Sequence, residues 1–124
     1  MNLTTMNLTT MIQRIENHPE SEKIGMILTH IGIVRGFSRE GQQVSMIEMK
    51  VDKELLDTIV LRHKKMPGIV EILVEISNNT TLFPGNRIMS VVVGGDIREN
   101  VLGTMTSIID AIKQDVTHKI EHYA

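Results

Sequence analysis

Apolar runs separated by short polar breaks divide this chain into extended and helical segments. The extended patterns predict four strands, at residues 24–34, 44–49, 69–76 and 87–93. The third of these alternates apolar and acidic residues, which is typical of a half-exposed strand. In the fourth, the run Val91-Val92-Val93 predicts a deeply buried strand, and Gly94-Gly95-Asp96 is expected to end it. Polar turns are predicted at residues 38–43, 78–81 and 83–86.

Three segments carry the helical spacing of apolar residues. The first covers residues 10–17, with Thr9 or Thr10 as its cap, and the second covers residues 53–64, with Asp52 as its cap. The third begins at Asp96, which forms a capping-box pattern with Glu99, and continues to about Lys113 or as far as His122. The resulting order, α-ββ-α-ββ-α, predicts an α+β domain with a mainly antiparallel sheet and helices on one face.

The length of 124 residues fits one domain. The sequence MNLTT occurs twice, at residues 1–5 and 6–10, which is too short for a structural repeat. We therefore expect residues 1–10 to form a loosely ordered N-terminal segment and residues 11–124 to form a single domain.

Composition narrows the classes of function. The chain has 13 Lys and Arg residues against 15 Asp and Glu residues, and only 2% of its residues are aromatic. Both values argue against a nucleic-acid partner. Without cysteine there is no disulfide, thiolate metal site or Cys nucleophile, so sulfur chemistry would need sulfur from a partner. No signal peptide or membrane-spanning run is evident, so we expect a cytoplasmic protein without a membrane partner.

Three basic residues could meet an anion. Arg98 follows Gly94-Gly95-Asp96-Ile97 at a helix start, where backbone N–H groups and the helix dipole favour phosphate. Arg35 ends a buried strand beside Gly36, and Lys113 flanks an apolar helix stripe, where a lysine could act as a base, nucleophile or oxyanion partner. For each, a plain structural role is the alternative: a strand-to-helix turn, a solvated Arg, or a Lys that suits the helix C-terminus.

A zinc-peptidase-like pattern, H-x-x-E-H, occurs at His118, Glu121 and His122. On a helix the two histidines could share a metal, but almost no chain follows to supply the third ligand that catalytic zinc needs. We therefore predict no metal site.

The first strand carries the pattern that identifies a resemblance, Gly25-Met-Ile-Leu-Thr-His-Ile-Gly32-Ile-Val34-Arg35-Gly36. It resembles the G-A-x-x-x-F-x-G-x-V-R signature of the molybdopterin synthase catalytic (large) subunit family. The order of the later elements is also similar, including the Phe83-Pro84-Gly85 turn and a terminal helix that ends in lysines, so the resemblance covers residues 24–121. It implies an α/β hammerhead fold.

The resemblance also implies a reaction, which is sulfur transfer in molybdenum (or tungsten) cofactor biosynthesis. A cyclic pyranopterin monophosphate, precursor Z, would become molybdopterin with sulfur from the C-terminal Gly-Gly thiocarboxylate of a small ubiquitin-like subunit. The large subunit would form a homodimer within a heterotetramer and hold no cofactor of its own. This delivery of sulfur agrees with the lack of cysteine.

Residue by residue, the resemblance assigns roles to six positions. Lys113 matches the first catalytic lysine of the family, and Lys119 matches the second with a one-residue gap. The implied substrate-binding residues are Val34 and Arg35 of the signature, and Ile97 and Arg98, where the family has a His-Arg pair. Two alternatives remain open: a non-catalytic homologue acting as a binding or scaffold subunit, and an unrelated α+β regulatory module that binds a small anion.

Overall fold

The computed structural model describes residues 7–77 and 81–124, and it has the predicted α+β class. Three helices and six strands follow one another as α1 (Leu8–Glu16), β1 (Met26–Ile33), β2 (Val44–Val51), α2 (Lys53–Lys64), β3 (Ile69–Ile76), β4 (Thr81–Leu82), β5 (Arg87–Gly95), α3 (Arg98–Ala111) and β6 (Thr117–Tyr123). A 3₁₀ turn, Ser21–Lys23, precedes β1, and a π-helical turn, Ile112–Val116, joins α3 to β6. No helix within the described ranges combines the length and apolarity needed to cross a membrane.

The strands form two antiparallel sheets of three strands each. The first sheet has the order β1-β5-β3 and the second has the order β4-β2-β6. The predicted single sheet is thus divided, because β2 pairs with β6 and β4 instead of joining β1.

The central strand β5 is buried on both faces. Val91 and Val93 point into the main core, which includes Ile59 of α2 and Ile108 of α3. Val92 points the other way and packs with Met11 and Ile15 of α1. All three valines are fully inaccessible, as the sequence predicts. Helices therefore cover both faces of the first sheet and not one face as expected, because apolar side chains alternate to both sides of β5.

The N-terminal helix begins earlier than the sequence predicts. Asn7 is its cap, and its side-chain oxygen accepts a hydrogen bond from the Thr10 backbone at 2.8 Å. Neither Thr9 nor Thr10 acts as the cap, because asparagine satisfies this position better than threonine does. The predicted loose segment at residues 1–10 overlaps this helix at its end, and its residues 1–6 lie outside the described residues. Residues 78–80 of the predicted turn also lie outside them.

The glycines after Val93 continue β5 rather than ending it. Gly94 pairs with Ile27 and Glu71, and Gly95 pairs with Met26 and Ile69. These positions need glycine because a Cβ on Gly94 would lie 2.5 Å from a methyl group of Ile15. Glycine here serves close packing within a strand and not a turn.

The predicted start of the last helix is also wrong by two residues. The helix begins at Arg98, its N-cap is Ile97, and no side chain caps it. Asp96 instead accepts hydrogen bonds from the Ile97 backbone at 2.6 Å and from the Asn100 side chain at 2.9 Å. The Asn100 hydrogen bond, followed by the Ile97 one, lowers the pKa of Asp96 from its ordinary value.

The predicted extension of that helix to His122 is wrong. The α-helical stretch ends at Ala111, and Thr117–Tyr123 forms a strand. The apolar stripe of the helix ends at Val116, and the next seven residues instead pair with β2, where Met49 faces Lys119 and Ile47 faces Glu121. A helix would leave one edge of β2 without this partner.

Candidate functional site

A cavity of about 590 Å³ lies where the two sheets meet. Its walls come from the end of β1 and the loop after it, from β2, from β5, from the π-helical turn and from β6. Its lining residues are His30, Gly32, Ile33, Val34, Arg35, Phe37, Arg39, Glu40, Ile47, Met49, Ile88, Met89, Lys113, Thr117, Lys119 and Glu121.

The exit of β1 holds Arg35 at the rim of this cavity. The backbone of Val34 donates to Asn86 and accepts from Gly85, both at 2.9 Å, and the Val34 side chain is buried. On the other side of Arg35, the carbonyl of Gly36 accepts from the Val44 backbone at 2.8 Å. The backbone is thus fixed on both sides while the arginine side chain is exposed.

The loop after β1 adds a second arginine. Ser38 is buried and closes the loop, because its backbone N–H donates to Gln42 and its hydroxyl accepts from the Gln42 backbone at 3.1 Å. This closure carries Arg39 and Glu40 on the exposed part of the loop, at the cavity wall.

Lys113 reaches the cavity from the π-helical turn. Ile112 and Val116 are fully buried on either side of it and anchor the turn in the main core. The Val116 carbonyl also accepts from the Asp52 backbone at 2.9 Å, which ties the turn to the start of α2. Lys113 itself is exposed, and it forms no ion pair within residues 7–77 and 81–124. Short π-helical turns of this kind occur frequently at functional sites.

Lys119 and Glu121 come from alternate positions of β6, so their side chains share one face of the strand. Their charged groups lie 3.8 Å apart. Glu121 also accepts a hydrogen bond from the Tyr123 hydroxyl at 3.0 Å, and this bond raises the pKa of Tyr123. Lys119 is therefore partly neutralised, whereas Lys113 is not.

His30 lies half-buried on β1 and belongs to the same cavity. Burial, and then the positive charge of Lys113, lower the pKa of His30 from its ordinary value. The imidazole therefore favours its neutral form, with one ring nitrogen donating and the other accepting.

The charges around the cavity favour an anionic ligand. Four lining side chains are basic, Arg35, Arg39, Lys113 and Lys119, and two are acidic, Glu40 and Glu121. Arginine binds phosphate or carboxylate through two parallel hydrogen bonds, and lysine binds it as a point charge. The arrangement can hold an anionic substrate of small-molecule size.

Four of the six residues predicted for the site line this cavity: Val34, Arg35, Lys113 and Lys119. Ile97 and Arg98 do not, because they lie at the opposite end of α3 from Lys113. The fourteen residues of that helix span about 21 Å. Both side chains are exposed there, and Arg98 lies 3.8 Å from Glu99.

Sequence reasoning missed several lining residues, above all His30 and Arg39. No pattern along the chain marks His30 as a site residue, because it lies inside the apolar run that predicts β1. The H-x-x-E-H pattern is not on a helix, and its His122 lies 3.3 Å from Glu48 instead. The described residues contain no group of three side chains that could hold a metal ion.

Comparisons with known proteins identify the family and the fold of this chain. A family model described as MoaE protein matches residues 4–115. The fold is similar to an X-ray crystal structure of molybdopterin synthase from Staphylococcus aureus, with a TM-score of 0.70 and 19% identity over 83% of this chain and 77% of that one.

Two further structures are alike in fold. Molybdopterin cofactor biosynthesis protein E from Burkholderia multivorans has a TM-score of 0.72 and 19% identity over 96% of this chain and 86% of that one. A complex of subunits 1 and 2 of molybdopterin-converting factor from Helicobacter pylori has a TM-score of 0.69 and 17% identity over 95% of this chain and 80% of that one. Curated protein sequences give no match to this chain.

Proposed function

Because this chain belongs to the MoaE protein family, we propose that it is the catalytic large subunit of a molybdopterin synthase. Its role is then in molybdenum cofactor biosynthesis. The proposed reaction converts cyclic pyranopterin monophosphate to molybdopterin by sulfur transfer.

One observation carries the proposal: the cavity collects Arg35, Lys113 and Lys119 from three separate segments of the chain. Such convergence of basic side chains suits a phosphate-bearing substrate together with an anionic sulfur donor. A cavity that holds both reactants would supply the orientation that a slow transfer needs.

In this proposal each basic residue has a distinct role. Arg35, fixed at the rim, binds the substrate phosphate, with Val34 forming the apolar wall beside it. Lys113, which has no ion-pair partner among the described residues, assists attack of the sulfur donor on the pterin precursor. Lys119, held near Glu121, stabilises negative charge that develops during the transfer.

The donor is proposed to be a small ubiquitin-like subunit with a C-terminal Gly-Gly thiocarboxylate. The chain has no cysteine with which to carry sulfur itself. A relative is known as a complex of subunits 1 and 2 of molybdopterin-converting factor, which supports a small partner subunit.

Ile97 and Arg98 remain in the proposal as substrate-binding residues, but α3 separates them from the cavity of their own chain. They can contact substrate only if a second copy places them at its neighbour's cavity. A homodimer within a heterotetramer would provide that contact.

The test is a reconstituted reaction with the thiocarboxylated small subunit and precursor Z. We expect Lys113→Ala to lower the rate of dithiolene formation by at least about 100-fold, because an oriented charge at the reacting atoms is lost. Lys50→Ala is the matched control, since Lys50 is exposed on β2, adjoins Met49 and does not line the cavity. Equal rates for both variants would contradict the role of Lys113.

The same assay distinguishes a catalytic subunit from the two alternatives. A non-catalytic scaffold subunit predicts tight binding of the small subunit with no product from the wild-type chain. An unrelated anion-binding module predicts neither, and membership of the MoaE family argues against it.

A further inference from the structure

His30 contributes an imidazole ring to the cavity, and none of the roles proposed above belongs to it. It lies on β1, and Gly32 lies two residues further on the same face. A Cβ at Gly32 would sit 3.4 Å from Met89 Cγ and 3.8 Å from His30 Nε2, so the missing side chain leaves a space the size of a methyl group beside that ring nitrogen. A water molecule or a small acyl group needs such room to approach a histidine.

The charged groups that line the cavity together with His30 are mostly basic. They are Lys113 from the π-helical turn, Lys119 and Glu121 from β6, Arg35 from the end of β1, and Arg39 and Glu40 from the loop after it. The neighbouring strand β5 contributes the apolar Ile88 and Met89. These surroundings oppose a further positive charge, and burial and Lys113 lower the pKa of His30. A histidine that is neutral at neutral pH can accept a proton.

The proposed function, on which this inference rests, creates a need for such a base. Once the donor sulfur is bonded to a substrate carbon, it still bears the acyl group of the small subunit, so the two are joined as a thioester. Release of the small subunit then requires water. The water oxygen bonds to the acyl carbon, and the acyl carbon–sulfur bond breaks with its electron pair going to sulfur. A base must take the proton that the water loses.

We propose that His30 is the general base of this hydrolysis. The imidazole takes one proton from the attacking water, and the sulfur remains on the substrate as a thiolate. The small subunit leaves as a carboxylic acid, which then ionises to solvent. Lys113 and Lys119 line the same cavity, so their ammonium groups can stabilise the oxyanion and the thiolate.

Two substitutions at His30 test this role in a single-turnover reaction with the thiocarboxylated small subunit and precursor Z. His30→Phe removes both hydrogen bonding and basicity, and His30→Asn keeps hydrogen bonding but removes basicity. We expect both variants to accumulate the covalent adduct of small subunit and pterin, detected by intact-protein mass spectrometry. Its decay should slow by about 100-fold or more, which is the usual effect of losing a general base.

The pH dependence gives a second readout. In the wild-type protein the decay of the adduct should slow as the pH falls through the pKa of His30, which lies below the ordinary histidine value of 6.5, because the base becomes protonated. Both variants should lack this dependence. His118→Asn is the matched control, since His118 is exposed on β6 and does not line the cavity, and it should behave as the wild type.

The outcomes separate the two proposals. If the wild-type protein yields neither adduct nor product, the proposed function fails and the role of His30 fails with it. If it yields product and His30→Asn does so equally fast without adduct, the base role is overturned while the proposed function stands. If adduct decay slows in His30→Phe but not in His30→Asn, the base role is also overturned, because hydrogen bonding without basicity would then be enough for hydrolysis.

Discussion

At the scale of single residues, two glycines occupy opposite environments. Gly94 is buried in β5, where a Cβ would lie 2.5 Å from a methyl group of Ile15. Gly103 lies within α3, and nothing approaches its Cβ position within 4 Å. The first glycine makes room for close packing, whereas the second only weakens its helix.

We therefore expect opposite effects from one substitution. Gly94→Ala should lower the free energy of unfolding by about 1–3 kcal/mol, because the added methyl group forces Ile15 or β5 to move. Gly103→Ala should raise it by about 0.5–1 kcal/mol, because alanine favours the helix. Urea denaturation measures both. An unchanged free energy of unfolding in Gly94→Ala would show that α1 can move away from β5 at little energetic cost.

Single residues also show how far the sequence predicts the site. Val34, Arg35, Lys113 and Lys119, which the resemblance to the family singles out, all line the cavity. Local patterns mark only two of them, Arg35 at the end of an apolar strand and Lys113 beside an apolar helix stripe. His30 lies inside an apolar run, and its neighbours along the chain do not show that it faces a cavity. The cavity beside His30 is formed in part by Lys113, which lies more than eighty residues later in the chain.

At the scale of elements, α2 is the segment that the sequence predicts best. It covers Lys53–Lys64 as predicted, and the Asp52 side chain accepts from the Leu55 backbone at 3.0 Å. Both its cap and its apolar stripe are local signals, so no distant contact is needed to find it.

The cap of α2 gives a prediction with an internal control. Asp52→Ala should lower the free energy of unfolding by about 1 kcal/mol, because the Leu55 N–H loses its acceptor. Asp52→Asn should remain within a few tenths of a kcal/mol of the wild type, since asparagine caps about as well. The midpoint of urea unfolding distinguishes them. Equal losses in both variants would mean that the charge of Asp52, and not its hydrogen bond, supports the helix.

Strand β6 is the longest element that the sequence does not predict, and the two-residue strand β4 is also not predicted. The identity of β6 depends on pairing with β2, and the Ser45 hydroxyl donates to the His122 carbonyl at 3.0 Å across 77 residues of chain. Such non-local pairing leaves no periodic signal within the segment itself. The consequence reaches the site, because only a strand sets Lys119 and Glu121 on one face opposite Met49 and Ile47.

At the scale of the whole molecule, the cavity is a product of having two sheets. The first sheet contributes His30 and Met89, the second contributes Met49 and Lys119, and the π-helical turn between α3 and β6 contributes Lys113. The single sheet predicted from the sequence would have no junction between sheets at which such a cavity could form. Local patterns thus predict most elements and mark Arg35 and Lys113, but the cavity follows from which strands pair with one another.

Acid pH is expected to lower the stability of the whole fold in part through His30. Its pKa in the folded chain lies below its ordinary value of 6.5, so the folded chain binds this proton less readily than the unfolded chain does. The contribution of His30 to stability is therefore fully present above 6.5, and it is lost as the pH falls toward the lower pKa of the folded state.

Urea unfolding of the wild type and of His30→Asn, each at about pH 7.5 and about pH 5.5, isolates that contribution. The other four histidines titrate in both proteins, so the difference between the two pH-dependent losses belongs to His30. We expect a smaller loss in the variant. An equal loss would mean that His30 has the same affinity for protons in the folded and unfolded chains. The cavity would then not keep the imidazole neutral, and the role of His30 as a base would lose its electrostatic support.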